Sequence, residues 1–183
     1  MTNSVVLWTL AAVLLFWSVG AYNRLMRLRG DAKSSFAQLD TELAKQVQLV
    51  RHQLPEPDTA HTHDEDATLW NALHGAASQF AASLAAARNK PLEPDGIAAL
   101  SAAQDVLAMA WERAERDDAH DLAGPRLPDS VIASRAQLSM QARAAGDHFD
   151  QAVGRYNAAI AEFPAVLLAW LFGFKPSRGL LAN

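Results

Sequence analysis

The first 23 residues carry no charged side chain, and four basic residues follow within the next ten. The stretch Val5–Tyr22 reads VVLWTLAAVLLFWSVGAY and is almost continuously apolar. A helix rises about 1.5 Å per residue, so roughly 20 residues cross a hydrocarbon core of about 30 Å. Residues 1–23 are therefore expected to form a transmembrane anchor. Trp8, Trp17 and Tyr22 stand towards its ends, where interfacial aromatics gather. A cleavable signal peptide would carry a basic segment ahead of a shorter apolar core. Here Arg24, Arg27, Arg29 and Lys33 come after the core, against one acid, Asp31. That order is a stop-transfer pattern. Positive flanks stay on the cytoplasmic side, which expects the N-terminus out, the bulk in, and a single pass through a bacterial inner membrane.

Apolar residues then recur at Leu25, Leu28, Ala32, Phe36, Leu39, Leu43, Val47, Val50 and Leu54, always three or four apart. This is one stripe of a long amphipathic helix. Only Gly30 interrupts it, which weakens a helix without ending it. The anchor is thus expected to run unbroken into the following region and to stop at Pro55 and Pro57. A second helix is expected over about 67–89, with Leu69 or Trp70, Leu73, Ala77, Phe80, Leu84 and Ala87 inward. A third spans about 96–119, with Ile97, Leu100, Ala103, Leu107, Ala110 or Trp111 and Ala114 inward. A fourth runs from a cap at Asp129 or Ser130 to about Phe163, with Val131, Leu138, Ala142, Ala145, Phe149, Ala152 or Val153, Tyr156, Ile160 and Phe163 inward. Pro-rich breaks at 90–94 and 124–128 separate them.

The expected fold is all-α: an N-terminal transmembrane helix continuing into an elongated antiparallel four-helix bundle over 24–163, with coiled-coil-like packing. Ala dominates the composition and strand formers are thin, which agrees. An even number of helices returns the chain to the bilayer after Phe163. The last segment, 164–183, contains the apolar run Ala165–Phe174 (AVLLAWLFGF), about half a membrane span long. With Trp170, Phe172 and Phe174 in it and Lys175 behind it, it is expected to sit at the membrane interface. The alternative is that it caps the core of the bundle. Charge follows the same axis. Residues 24–33 are net positive by three, and residues 56–66 hold five acids and no Lys or Arg.

No catalytic pattern emerges. There is no Cys, no Walker loop, no Gly-x-Ser-x-Gly and no His-Glu-x-x-His. Glu42, Glu112, Glu115 and Glu162 are scattered and expected to face solvent. The net charge of −4 gives no footing for nucleic acid. No cofactor, metal or small-molecule substrate is expected. His52, His61, His63, Asp64, Glu65, Asp66 and His74 are metal-ligand types. In a connector without fixed geometry they read more simply as a solvated acidic loop.

Two stretches carry a family resemblance. Tyr22-Asn23-Arg24-Leu25, Arg29 and Ala37-Gln38-Leu39-Asp40-Thr41-Glu42-Leu43 resemble the start of the soluble region of the LemA family. Arg155-Tyr156-Asn157, Ile160, Phe163-Pro164 and Leu171-Phe172-Gly173-Phe174-Lys175-Pro176 resemble that family's C-terminal signature. Together they cover about a third of the chain. Val50-Arg51-His52-Gln53-Leu54-Pro55 departs from the Ile-Pro-Asn-Leu-Val that similar proteins carry. The resemblance implies a membrane-anchored cytoplasmic bundle without enzymatic activity, tied to membrane organisation. The leading expectation is a scaffold whose partner is the lipid bilayer, with a homo-oligomer or a membrane protein as further partners. The alternatives are a metal-responsive module using the distal His/Asp loop, and an adaptor for a membrane protease or sensor.

Overall fold

The computed structural model of the chain describes residues 2–54, 64–120, 127–163 and 165–181. Five helices are present and no strand occurs among the described residues: α1 (Thr2–Gln53), α2 (Asp64–Asn89), α3 (Pro94–His120), α4 (Asp129–Ala161) and α5 (Ala165–Phe172). Helix α1 is continuous for 52 residues, about 78 Å at helical rise. Gly30 does not break it, because turns on both sides supply the packing that a single glycine forgoes.

The apolar stripes become the core. Leu25, Ala32, Phe36, Leu39, Leu43, Val47 and Val50 of α1 and Leu54 just after it are all buried, with Leu28 packed at the margin. Leu73, Phe80 and Leu84 of α2 and Ile97, Leu100 and Leu107 of α3 join Val131, Ala142 and Phe149 of α4 in one contiguous cluster. Helix α1 runs against α4, and α2 against α3; α2 also packs on α1. The α1–α4 pair is antiparallel, since Arg24 meets Glu162 while Phe36 meets Phe149 edge-on at 5.6 Å. Side chains join α3 to α4. Arg135 pairs with the Glu115 carboxylate and lies over the Trp111 ring, 5.4 Å from its centroid. Glu115 is therefore a partly buried ion-pair partner rather than a solvent-facing acid.

Helix ends follow local chemistry. Helix α3 starts two residues earlier than the stripe suggests, at Pro94, because the first helical position needs no N–H. Neither Asp129 nor Ser130 caps α4. The capping position is the extended Pro128, which offers no side-chain bond, and Asp129 falls in the first turn. Its charge there opposes the positive end of the helix dipole. Helix α4 stops at Ala161, short of Phe163. A residue before proline is pushed out of the helical region, and Phe163 precedes Pro164. Phe163 leaves the stripe as a result and is 70 % exposed.

Segment 164–183 divides at Gly173. Ahead of it lies α5. Gly173 has φ +67°, a left-handed conformation that ends the helix, and the Phe174 amide donates back to the Ala169 carbonyl at 2.9 Å. Behind it, residues 174–181 turn back along α4. There the Tyr156 hydroxyl donates to the Lys175 carbonyl at 3.1 Å. Asn157 donates to the Ser177 carbonyl at 2.7 Å and accepts its amide at 2.9 Å. The Leu180 and Leu181 amides donate to the two oxygens of Asp150 at 2.6 and 2.9 Å. Leu180 thereby reaches the main core and is 4 % exposed.

Candidate functional site

The end of the molecule built from the N-terminal half of α1, the end of α4, and α5 differs from the rest. By length and composition α1 is long and apolar enough to cross a membrane. Among the described residues of its most apolar stretch none is buried: Val6, Leu7, Trp8, Val13, Leu15 and Phe16 are exposed. Helix α5 docks beside this segment and against α4. It is eight residues long and apolar on every side. Its buried residues are the small ones, Ala165 and Ala169, four apart and so on one face. Val166, Leu167, Trp170, Leu171 and Phe172 point outward. A helix that capped the core would turn its large side chains in. This one turns in Ala165, Ala169 and part of Leu168, and leaves its other large side chains out, beside the apolar surface of α1. Soluble monomers seldom expose contiguous apolar area on this scale unless it meets a partner or a membrane.

The residues singled out from the sequence separate into groups. Trp8 stands apart, 75 % exposed. Trp17 is partly covered by Phe163, with ring centroids 5.6 Å apart. Tyr22, Phe172 and Phe174 form an aromatic knot, with Tyr22 5.2 Å from Phe172 and 6.3 Å from Phe174. Arg29 caps the knot, its guanidinium 5.5 Å from the Phe174 centroid. Arg24 pairs with Glu162 at 2.9 Å, both about half exposed. A pair so exposed contributes at most about 1 kcal/mol, but it fixes the level at which α4 returns. Arg27 is exposed and Lys175 keeps its ammonium in solvent. Trp170 is 84 % exposed and is the outermost aromatic of α5. Phe174, by contrast, is half-buried and packs against the buried cluster that includes Leu25 and Tyr156. It fastens α5 to the body of the protein, while Trp170 faces outward.

The tail clamp formed by Asp150 and Asn157 was not legible in the sequence. A polar pair on α4 carries no pattern that names backbone amides 20 to 31 residues away as its partners. The one signal was Gly173-Phe174-Lys175-Pro176, a turn-forming run after an apolar helix.

A second feature lies on the flank of the same end. The connection between α2 and α3, Lys90–Glu93, comes up to Arg29 and Lys33 of α1 and to Gly173–Lys175. The cleft so formed holds about 330 Å³. Lys90 pairs with Glu93 at 2.9 Å, and that carboxylate raises the Lys90 pKa above its usual range. The Arg29 Nε is buried with no hydrogen-bond partner. Tyr156 sits at the same cleft, and burial raises its phenol pKa, partly offset by the Arg29 charge.

Residues 55–63, with His61, His63, Glu56 and Asp58, and the side chains of Asp64, Glu65 and Asp66 lie outside the described residues. Among the described residues no three His, Asp or Glu side chains come together as a metal ion would require. No protein-family model, no curated protein and no solved structure matches this chain.

Proposed function

We propose that this protein is a non-enzymatic, membrane-anchored scaffold or membrane-organising protein of the LemA type. Residues 1–23 span a bacterial inner membrane once, with the N-terminus out. Residues 24–163 project into the cytoplasm as an elongated antiparallel four-helix bundle. Helix α5 lies in the membrane interface beside the anchor, and its outward aromatics together with the Arg24–Lys33 cations seat the bundle on anionic headgroups.

The observation that carries this reading is the inversion of α5. Ala165 and Ala169 face the protein while Trp170, Leu171 and Phe172 face out, level with the apolar part of α1. Within the C-terminal stretch, Tyr156 and Asn157 hold Lys175 and the adjoining Ser177, which keeps α5 at this end of the bundle. The Ala-rich faces of the bundle leave room for close approach by a second copy or another membrane protein.

The test uses the full chain, which has no cysteine. Alkaline carbonate extraction of membranes from expressing cells should leave it in the pellet; release into the supernatant refutes the anchor. A Trp170→Cys variant carrying a spin label should report a depth at the headgroup–acyl boundary. An Arg51→Cys label should report bulk water. Equal aqueous accessibility at both positions refutes the interfacial α5.

A further inference from the structure

We infer that the cleft bounded by Arg29, Lys33, Lys90 and Lys175 is a binding site for a phosphate ester, of the size of a phospholipid headgroup. Arginines and lysines next to a membrane span are expected as a topology signal, and Arg29 and Lys33 alone would be no more than that. Lys90 and Lys175 are not part of that flank. One belongs to the α2–α3 connection and the other follows the turn at Gly173, yet the fold brings both to the same cleft. Four cations from three separate segments thus line it, against one carboxylate, Glu93, which Lys90 already engages. Arg29, Lys33 and Lys175 have no ion-pair partner among the described residues.

Gathering like charges is unfavourable unless an anion joins them. The Arg29 Nε supplies a second, independent indication. It is buried, donates to nothing, and belongs to a guanidinium held in place by the Phe174 ring. A buried donor left unsatisfied is costly, and a shift of the guanidinium towards an anion in the cleft would relieve it. Pro94, the first residue of the 27-residue α3, also borders the cleft. Its helix dipole adds a positive end, and Asp95 in that first turn does not line the space. A volume of about 330 Å³ suits a phosphodiester with a small polar head. Guanidinium and ammonium groups are the usual donors to phosphate oxygens. The aromatic floor of Phe174 and Tyr156 leaves an apolar approach from the α5 side. The membrane-anchored reading bears only on the source of the anion, a lipid headgroup or a free phosphate; the site itself stands on the cleft.

The full chain in uncharged maltoside micelles is titrated by calorimetry with dihexanoyl phosphatidylglycerol, with its net-neutral phosphatidylcholine counterpart, and with inorganic phosphate. Saturable binding of phosphatidylglycerol near one per chain is expected, weakened about tenfold or more in a Lys90→Gln, Lys175→Gln double variant. An Arg51→Gln variant, whose side chain lies on the far part of α1, should bind as the parent does. Neither substituted lysine ammonium packs in the core, so helical circular dichroism should be unchanged; a single Lys90→Gln variant, weakened about fivefold, serves as the check. Binding of phosphatidylglycerol without inorganic phosphate identifies the source as lipid, and binding of both with the same lysine dependence identifies a free phosphate. Absence of saturable binding by either anion overturns the site. So does binding that the double variant leaves intact, or that Arg51→Gln weakens equally. Anchoring is read separately by carbonate extraction and survives failure here, while phosphate binding in micelles would survive failure of the anchor.

Discussion

Asp150 of α4 holds Leu180 of the tail in the core: its Oδ1 accepts the Leu180 amide at 2.6 Å, and its Oδ2 accepts the neighbouring Leu181 amide at 2.9 Å. Two charge-assisted bonds thus fasten a segment that has no helical bonds of its own. Each such bond contributes about 1.5–3 kcal/mol, less the cost of ordering the tail. Asp150→Ala should therefore destabilise the protein by about 2–3 kcal/mol and release Leu180. Urea unfolding followed by circular dichroism measures this. Leu180→Ala in the same background should add little, because the tail has already left. Full additivity of the two losses would show that Asp150 acts elsewhere.

Gly179 and Gly30 should respond to alanine with opposite signs. A Cβ at Gly179 would stand 2.6 Å from the Asp150 Cγ, closer than real contacts allow, so Gly179→Ala must push the tail off its clamp. At Gly30, in the interior of α1, a Cβ meets nothing within 4 Å. Gly30→Ala should stabilise the helix by about 0.5–1 kcal/mol, while Gly179→Ala should approach the loss seen for Asp150→Ala. Thermal melts of the two variants side by side provide the comparison.

What was legible and what was not divides along the same line. Periodic positions were legible: every residue of the first apolar stripe from Leu25 to Leu54 except the marginal Leu28 is buried, because burial repeats with the helix. The continuity of the apolar N-terminus with the amphipathic region was legible, since only Gly30 stood between them. Positions governed by contacts distant in sequence were not. Residues 174–181 have no period, and their path is set by Asp150, Asn157 and Tyr156. Glu115 read as a surface acid because its partner Arg135 arrives from another helix. Phe163 fitted the stripe by spacing, yet the proline after it ends α4 first and turns it outward. At the apolar end of the molecule, the aromatic residues were visible as a group but not their division of labour.

That division predicts different outcomes for two aromatics only four residues apart. Trp170 is almost fully exposed, so Trp170→Ala should leave thermal stability within about 0.5 kcal/mol of the parent. In the proposed arrangement it should reduce the salt-sensitive binding of the fragment from Arg24 to anionic vesicles. Phe174 packs on Tyr22, Phe172 and Arg29. Phe174→Ala should cost about 2–3 kcal/mol and loosen α5 from α1. Vesicle flotation and chemical denaturation, run on both variants, separate the two roles. Identical losses of stability would contradict the assignment.

The Arg135–Glu115 pair should matter more than the surface pairs. Both side chains are largely shielded from solvent, and the guanidinium also lies over Trp111. It borders a small cavity of about 80 Å³ between α1, α3 and α4. Arg135→Ala removes an ion pair and a cation–π contact together and should cost about 1–3 kcal/mol. Lys45→Ala, which removes the exposed pair with Glu42, should cost under about 0.5 kcal/mol. A double-mutant cycle between Arg135 and Glu115 should give a coupling energy above about 0.5 kcal/mol. A value near zero would mean that α3 and α4 are joined by the shared apolar core alone.

Tyr156 gives the fold a sensitivity to alkali. Burial raises its phenol above the ordinary 10.0, with Arg29 pulling weakly the other way. The phenol is neutral when protonated, and its pKa in the folded chain lies above that in the unfolded chain. Below pH 10 both states keep the proton and the contribution to stability is fully present. As pH rises past 10 the unfolded chain loses the proton first, so it binds fewer protons than the native chain and stability falls. The decline continues until pH passes the folded value. Tyr156→Phe should lower stability at pH 7 by about 1 kcal/mol, because the bond to the Lys175 carbonyl is lost. It should also flatten the decline above pH 10. Urea midpoints measured at pH 7, 9 and 11 for both proteins test this. A Tyr156→Phe variant that declines as steeply as the parent would place the alkaline sensitivity in other groups.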